Sequence, residues 1–406
     1  MTVPGAADDW DSLSTMLCRS CGTDVPEGTY CGSCGAAATP TRGGGPAWLR
    51  IRAYTAAPNE HVLRPWLTTS LFPRLPRRSR WAFRVALIVL LALLLGFALL
   101  RWQPPLIGIS ALGLPLLFGL YLHETDAFRD QSIVTLTITA ILAIGIGVGW
   151  ALATDAIWKR TYDDVLGTPM STTDQLINLA AIPIGGTLLM LLPAALMRLL
   201  RPGVRESLDG FVIGALAALC FTAAGTLTRA APEFANGLVA EDFPRNALLA
   251  LAAIRGIATP LTAAAIGAMV GSTLWFRRRA HPPTVEHWYS LTSPAPALAI
   301  AVLLYIAQNR IDYAWISYLQ IVGLYAVVAV LAVLALRVAL HCTLLREAPD
   351  ETSPNEPVLC PQCEHVIPEL VFCANCGVAA HAASRTSRAD RRTHRPTPID
   401  VAPEGR

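Results

Sequence analysis

Long runs of apolar residues alternate with short polar segments along most of the chain. Eight of these runs have roughly the 20 residues that an α-helix needs to cross about 30 Å of hydrocarbon. We therefore predict eight membrane spans, at about residues 82–101, 104–122, 132–153, 176–200, 208–228, 246–276, 293–308 and 316–340. The pattern indicates an all-α polytopic membrane protein, with its transmembrane helical bundle at 81–341.

Three of the predicted spans have distinctive features. The segment Arg101-Trp102-Gln103-Pro104-Pro105 joins the first two so closely that they must form a helical hairpin. The sixth is longer than a membrane requires and contains Pro260, which cannot donate a helical backbone hydrogen bond, so we expect a kink or a break there. The seventh, at roughly 16 residues, is short for a membrane span.

The composition supports a membrane location. Hydrophobic residues make up 53% of the chain and charged residues 15%, whereas about a quarter of a soluble protein is charged. The mean hydropathy is +0.45. The first 80 residues are polar and lack the apolar core of a signal peptide, so we do not expect one.

The basic residues predict an orientation, because short loops rich in Arg and Lys stay in the cytoplasm. An even number of spans puts both termini on one side. If that side is the cytoplasm, the inner segments carry Arg74, Arg77, Arg78, Arg80, Arg84, Arg129, Arg198, Arg201, Arg205, Arg277, Arg278, Arg279 and Arg346. The outer segments carry fewer: Arg101, Lys159, Arg160, Arg229, Arg245 and Arg310. We expect a multi-pass plasma membrane protein with cytoplasmic termini.

A short cysteine module occurs on either side of the apolar region. CRSCGTDVPEGTYCGSCG at 18–35 and CPQCEHVIPELVFCANCG at 360–377 share the spacing C-x2-C-x9-C-x2-C. Two such knuckles provide four thiolates for a tetrahedral ion. A module of this size cannot bury a stabilising apolar core, and metal binding can supply the missing free energy. We predict two structural zinc ions with the ligands Cys18, Cys21, Cys31, Cys34, Cys360, Cys363, Cys373 and Cys376.

Other roles for these cysteines stay open. Disulfide bonds are one alternative, which a reducing cytoplasm disfavours, and a redox C-x-x-C motif is another. The glycines after the second cysteine of a knuckle suit a turn with positive φ, whereas Glu364 replaces the glycine in one knuckle. Cys220 and Cys342 stand alone in or near predicted spans, and we expect them to be packing residues.

The two modules resemble the bacterial zinc-ribbon family and its double-ribbon relatives. The resemblance implies a small β-hairpin zinc ribbon at 15–38 and another at 358–380. It implies interaction modules, so we expect them to bind a cytoplasmic protein or to pair with each other. Nucleic acid is the less favoured partner.

The segments around the modules have a strong charge bias. Residues 39–80 form a basic juxtamembrane linker, which could lie on anionic membrane lipid or could simply set the orientation of the first span. Residues 347–358 form an acidic, proline-rich linker. We predict that 381–406 is a disordered basic tail.

Ionisable residues deep in a membrane usually mark function, and the predicted spans offer few. No His, Asp or Glu falls in the middle of a span, and Arg255 is the one charge that we place well inside one. The cluster HETD at 123–126 lies in a short loop, where we expect it to be solvated.

The segment at about 176–276 contains DGFVIG at 209–214, then Phe221, and later AIGAMVG at 265–271. With these residues it resembles the PrsW family of intramembrane metalloproteases. The family pattern has a Glu-Glu-x-x-Lys helix, then D-G-x-x-x-G running into Phe-x-x-x-Glu, and later Pro-x-x-His before small residues. The residues that match are Asp209, Gly210, Gly214, Phe221, Gly267 and Gly271. The catalytic positions fall, to within about one residue, on Ala194, Ala195, Gly225 and Ala263, with Arg198 at the lysine. Alanine and glycine cannot ligate a metal.

Taken together, the sequence predicts a non-catalytic membrane protein whose cytoplasmic zinc ribbons make it an interaction or regulatory module. We name no catalytic or cofactor-binding residue. Two alternatives stay open: an active PrsW-like intramembrane metalloprotease with a divergent active site, and a small-solute transporter in which Arg255 lines the path.

Overall fold

The computed structural model describes most of the chain. The described residues are 14–38, 54–58, 60–73, 79–125, 127–163, 177–200, 206–235, 237–239, 243–277, 292–312, 314, 316–350, 352 and 356–396. The chain divides into two compact units. The membrane unit consists of Pro65–Phe276 and Ser290–Ala339, and the ribbon unit consists of Met1–Arg64, Arg277–Tyr289 and Leu340–Arg406.

Helices build the membrane unit. In chain order the α-helices are α1 (Leu67–Leu71), α2 (Ser79–Leu100), α3 (Gln103–Glu124), α4 (Ala127–Asp130), α5 (Ile133–Asp163), α6 (Ile182–Leu200), α7 (Ser207–Ala230), α8 (Arg245–Ala253), α9 (Thr259–Trp275), α10 (Pro294–Asp312) and α11 (Tyr318–Arg346). The last residues of α11 belong to the ribbon unit. A short 3-10 helix, Ala231–Ala235, extends α7.

Eight helical segments within the described residues are long and apolar enough to cross a membrane: Trp81–Leu100, Gln103–Glu124, Ile133–Lys159, Ile177–Leu200, Ser207–Ala235, Arg245–Trp275, Pro294–Asp312 and Tyr318–Arg346. They coincide with the eight predicted spans. The protein is thus a multi-pass membrane protein, and its helical fold class is confirmed.

Two spans contain π-helical segments instead of breaks. Ile254–Ala258 joins α8 to α9, so the sixth span continues past Pro260, where a kink or break was predicted. A second π-helix, Ile177–Ala181, leads into α6 and precedes Pro183. A proline ring clashes with the carbonyl group four residues earlier, and a wider π turn before the proline relieves that clash.

The first two spans form the predicted helical hairpin. The backbone reverses between Leu100 and Gln103, and Arg101 adopts a left-handed conformation with φ of 58°. Leu90 of α2 packs closely over Gly113 of α3. Only two residues, Arg101 and Trp102, lie between the two helices.

The core of the membrane unit lies between α7 and α9. Most residues of α7 and nearly all residues of α9 are buried, whereas α2 and α11 expose many large apolar side chains. Exposed apolar side chains on the outer helices suit contact with lipid tails. The small residues are concentrated on the inner helices, where close backbone approach replaces the hydrophobic effect as the source of stability.

Two small antiparallel sheets lie in the ribbon unit. Strands β1 (Thr15–Leu17) and β2 (Asp24–Pro26) form one, and β3 (Pro357–Leu359) and β4 (Val366–Pro368) form the other. Their registers correspond position by position: Met16 pairs with Val25, and Val358 pairs with Ile367. A 3-10 helix (Ala380–Ala382) and helix α12 (Arg385–Thr393) follow the second sheet.

The tail differs from its prediction. The structure has helix α12 within the segment 381–406 that was expected to be disordered. Ser384 caps this helix, because its hydroxyl accepts a hydrogen bond of 3.1 Å from the backbone N–H of Ser387. Residues 397–406 of the tail, and residues 39–53, 59 and 74–78 of the basic linker, lie outside the described residues.

Candidate functional site

Each cysteine module folds as a pair of knuckles joined by a hairpin. In the first knuckle, the backbone N–H of Cys18 bonds to the carbonyl of Thr23, and Gly22 N–H bonds back to Cys18 at 2.8 Å. The same bonds recur in the other knuckles. The residue after the second cysteine has positive φ in all four, including Glu364 at 58°. The knuckle therefore imposes this conformation even without glycine, at some cost in strain.

The sulfur atoms are arranged for a tetrahedral metal. In the N-terminal ribbon, the Sγ atoms of Cys18 and Cys34 are 3.8 Å apart, as are those of Cys21 and Cys31. The C-terminal ribbon repeats both distances, from Cys360 to Cys376 and from Cys363 to Cys373. A tetrahedron with zinc–sulfur bonds of about 2.3 Å has sulfur–sulfur edges of about 3.8 Å.

Alternative chemistry fits these distances less well. A disulfide bond needs a sulfur–sulfur distance of about 2.0 Å. All four ligand atoms of each cluster lie within 4.8 Å of one another, so one ion can reach them all. The two four-cysteine clusters therefore fit zinc ribbons, as the sequence predicted.

The hydrogen bonds among the thiols favour the thiolate form of one cysteine in each cluster and oppose it in others, because they raise the pKa values of Cys34 and Cys376. A hydrogen bond from Cys34 lowers the pKa of Cys31 to about 5, although burial opposes the shift. Hydrogen bonds from Cys373 and Cys376 lower the pKa of Cys360 to about 2. One sulfur in each cluster is thus ready to ligate at neutral pH.

The two ribbons pair with each other through matched contacts. The backbone N–H of Tyr30 donates to the carbonyl of Ala374, and the N–H of Phe372 donates to the carbonyl of Gly32, both at 2.9 Å. Tyr30 and Phe372 occupy the same place in their modules, as do Gly32 and Ala374. The interface therefore has pseudo-two-fold symmetry, as in an isologous dimer.

Aromatic rings complete this interface. The ring of Phe372 lies over Gly35, and the ring of Tyr30 lies over Gly377. A Cβ on Gly377 would come within 2.9 Å of the Tyr30 ring, so a larger residue there would push the ribbons apart. The aromatic residue that precedes the third cysteine of each module, Tyr30 or Phe372, is thus an interface residue.

A segment of the linker between the first ribbon and the first span also joins the ribbon unit. Tyr54, Thr55, Ala56 and Ala57 are buried. The carbonyl of Thr55 accepts a hydrogen bond of 2.9 Å from Ala379 N–H, and its own N–H donates to Nδ1 of His341 at 3.3 Å. This part of the linker is bound to protein.

The acidic linker and the basic tail bind each other. Arg388 Nε lies 2.9 Å from the Asp350 carboxylate, and Arg392 Nε lies 2.5 Å from that of Glu369. Arg395 bonds to both Glu356 and Glu369. These pairs explain why the tail is helical: its charges have partners about 25 to 40 residues away in the chain.

Asp350 is held in its charged form. Burial raises the pKa of this carboxyl, but the positive charges of Arg388, His381 and Arg392 outweigh burial, and the net pKa is below its ordinary value. The ion pairs of Asp350 therefore persist at neutral pH.

In the membrane unit, the glycines that match the family pattern pack against one another. Gly210 and Gly214 of α7 contact Gly271 and Gly267 of α9, respectively. A Cβ at any of the four would overlap a carbonyl oxygen of the facing helix. Asp209, in the first turn of α7, is 1% exposed.

The positions of the catalytic pattern are filled by small residues. Ala194 is buried in an apolar cluster with Met197, Ile213 and Trp275. Ala263 is fully buried, one turn from Gly267 on the same face of α9. Gly225 faces α5, since a Cβ at this position would lie 3.9 Å from the carbonyl oxygen of Gly147.

These positions do not form one compact site. Ala194 packs beside Ile213, which is twelve residues from Gly225 along α7, or about 18 Å. Arg198, at the lysine of the pattern, donates from Nε to the carbonyl of Leu274 at 3.1 Å. It satisfies a carbonyl group at the C-terminus of α9, where a positive charge is favourable.

Charges inside the membrane unit are more numerous than predicted. Arg337 of α11 is completely buried and donates to the hydroxyls of Thr69 and Ser70 at 3.1 and 2.8 Å. The prediction that Arg255 is the one charge well inside a span is therefore wrong. Arg337 was visible in the sequence, but its partners on α1 precede it by more than 260 residues.

Arg255 lies in the π-helical segment near other polar groups. Asp312 accepts a hydrogen bond of 2.5 Å from the Tyr325 hydroxyl, and both Arg255 and Arg229 act on it electrostatically. Arg229 also donates to Thr154 at 3.3 Å. Asp312 lies beyond the limit predicted for the seventh span, and for this reason the sequence did not identify the cluster.

Taken alone, the described part of the membrane unit has no group of three His, Cys, Asp or Glu side chains close enough to share an ion. In the HETD cluster, His123 and Glu124 are exposed at the end of α3, and Asp126 lies outside the described residues.

Comparison with known proteins supports the membrane resemblance. Residues 131–336, from α5 into α11, match the PrsW family intramembrane metalloprotease. No curated protein and no solved structure matches the chain significantly. The family match covers just over half of the chain and includes the whole segment with the D-G-x-x-x-G pattern. The chain belongs to the PrsW family of intramembrane metalloproteases.

Proposed function

We propose that this PrsW-family member is non-catalytic and serves as a membrane anchor for a paired zinc-ribbon module. One observation carries the proposal: the pattern's carboxylate and imidazole positions hold Ala194, Ala195, Gly225 and Ala263. A metalloprotease needs such ligands to hold its ion and to lower the pKa of the bound water.

The packing of the helices supports the loss of a catalytic centre. The backbones of α7 and α9 approach each other at their glycines, and Ala194 and Ala263 are buried among apolar neighbours. A catalytic zinc site needs an open coordination position for water. Close packing at these two positions leaves no such space.

The eight ribbon cysteines would hold two structural zinc ions, one per cluster. Four protein ligands close each site, so the ions would stabilise the fold and leave no position for a substrate. The chemistry that zinc supplies here is the cross-linking of four thiolates.

We propose that the paired ribbons bind a cytoplasmic protein. The basic residues of the short loops support a plasma membrane location with cytoplasmic termini. Zinc ribbons at 15–38 and 358–380 would then present their outer surfaces to the cytoplasm, and the apolar outer helices would contact lipid. Nucleic acid is not a proposed partner.

Metal analysis of the purified full-length protein tests the proposal. We expect two zinc ions per chain, and none after all eight ribbon cysteines are replaced by serine. The variant Cys220→Ser, which changes a lone cysteine in α7, should retain both ions. An ion that survives the eight replacements would support catalysis instead.

The family membership itself supports a second candidate, an active protease with divergent ligands. This candidate predicts cleavage of membrane peptides that depends on a metal outside the ribbons. Cleavage by the eightfold serine variant, inhibited by a chelator, would establish it.

A further inference from the structure

A cavity of about 60 Å³ lies beside the C-terminal metal cluster. Cys360 and Cys373 contribute to its wall, and so do three arginines of helix α12: Arg388, Arg391 and Arg392. Helix α12 therefore lies against the ligands of the C-terminal ribbon.

The three arginines differ in their partners. Arg388 pairs with Asp350, and Arg392 pairs with Asp350 and Glu369. Arg391 has no carboxylate partner within the described residues. Its Nε donates to the carbonyl of Ser387, and its Nη2 donates to the Ser387 hydroxyl. Both bonds are 3.0 Å long and lie within the same helix.

The sulfur of Cys360 attracts the charge of Arg391, whereas the neighbouring Arg388 and Arg392 repel it. A zinc ion with four thiolates is a dianion, because four negative charges exceed the two of the metal. A partly buried guanidinium beside a buried dianion would gain a strong interaction that the metal-free thiols do not offer. The carboxylates on the cavity wall, Asp350 and Glu369, pair with the other arginines of the tail.

We propose that Arg391 compensates the charge of the zinc-loaded C-terminal ribbon, and that docking of helix α12 therefore depends on the metal. The inference rests on the proposed structural zinc. Zinc binding would strengthen the docking of α12, and by linkage the docked helix would strengthen zinc binding by the same factor. Loss of the metal would release a helix that carries several arginines.

The residue has a matched control in the same tail. Arg395 carries the same charge, but it pairs with Glu356 and Glu369 and does not line the cavity. The N-terminal ribbon, with the same cysteine spacing, is an internal control for metal binding.

Zinc release from the full-length protein tests the inference. Chelator is titrated, and hydrogen exchange is read separately over 18–35, 360–377 and α12. We expect Arg391→Gln to weaken zinc binding at 360–377 by about tenfold, the lower range for residues around metal ligands, and to reduce the protection of α12. The ribbon at 18–35 should be unchanged, and Arg391→Lys should retain most of the wild-type behaviour.

Two results would overturn the inference. The first is that Arg391→Gln and Arg395→Gln show the same zinc affinity at 360–377 and the same protection of α12 from exchange. The charge of Arg391 would then have no special role. If chelation removes the zinc of the wild-type protein without changing the protection of α12, docking is independent of the metal. A wild-type protein that binds no zinc would instead refute the proposed function.

Discussion

The ribbon unit and the membrane unit differ in the residues at their candidate metal-binding positions. In the ribbon unit, eight cysteines keep one spacing, and their sulfurs lie 3.8 Å apart across each cluster. In the membrane unit, the family's ligand positions hold alanine and glycine, whereas the glycines that pack α7 against α9 match the pattern.

On our proposal that the protein is non-catalytic, the difference means that helix packing and chemistry have separated within this family. Close helix packing depends on small residues, and a metal site depends on a few ligands. Replacing the ligands with alanine removes the chemistry but leaves the helix contacts intact. A membrane bundle without its catalytic residues can therefore remain a stable anchor.

The largest effect should come from the ribbon ligands. We expect Cys363→Ser to unfold the C-terminal ribbon, because metal binding contributes about 10–16 kcal/mol to the folding of small zinc modules. Hydrogen exchange over 360–377 and the zinc content per chain measure the effect. Cys220→Ser should change neither, and a ribbon that stays protected in Cys363→Ser would show that metal is not needed for its fold.

The interface between the ribbons should give the next largest effect. Phe372 is fully buried, and Phe372→Ala should destabilise the ribbon pair by about 3–5 kcal/mol. Faster exchange of the Tyr30 amide, which donates to Ala374, would report separation of the ribbons. The control is Leu359→Ala, at an exposed position of β3. Equal exchange rates of the Tyr30 amide in the two variants would contradict the pairing of the ribbons.

In the membrane unit, the close approach of α7 and α9 can be broken by a larger side chain. Gly214→Val should destabilise the bundle by about 1–3 kcal/mol or more, because its Cβ would overlap the carbonyl of Gly267. The midpoint of thermal unfolding in detergent measures this. Gly149→Val is the matched control, since nothing lies within 4 Å of a Cβ at Gly149. A similar fall of the unfolding midpoint in both variants would argue against the contact between α7 and α9 at Gly214.

The smallest effect should be the pH dependence of the tail. The pKa of Asp350 is lowered in the folded protein, so its contribution is present above the ordinary pKa of about 3.9 and is lost as the pH falls through the lowered value. Asp350→Asn should cost about 1 kcal/mol at neutral pH and should reduce the acid sensitivity of α12 protection. An unchanged acid profile would show that Asp350 does not hold the tail.

Much of this structure follows from short-range sequence patterns. The eight apolar runs predicted the membrane-spanning helices, because an apolar segment in lipid must satisfy its backbone hydrogen bonds internally as a helix. The spacing of the cysteines predicted both four-cysteine clusters, because the knuckle geometry is local. The glycines at α7 and α9 were visible as a pattern, but their mutual contact was not.

Features that depend on distant partners were missed. Helix α12 was predicted to be disordered because its arginines, read alone, resemble a solvated tail. Their carboxylate partners lie far away in the sequence, Asp350 in the acidic linker and Glu369 in the ribbon. Arg337 finds Thr69 and Ser70 across most of the sequence. The π-helices depend on how the backbone before each proline avoids a clash with the proline ring. The sequence alone indicated only a kink or a break at Pro260.

X-ray absorption at the zinc edge of the full-length protein would identify the ligands of its metal directly. If the only zinc lies in the ribbons, each ion should have four sulfur neighbours at about 2.3 Å. A substantial share of nitrogen or oxygen neighbours at about 2.0–2.2 Å would reveal histidine or carboxylate ligands. That result would mean that the membrane unit has kept a metal centre.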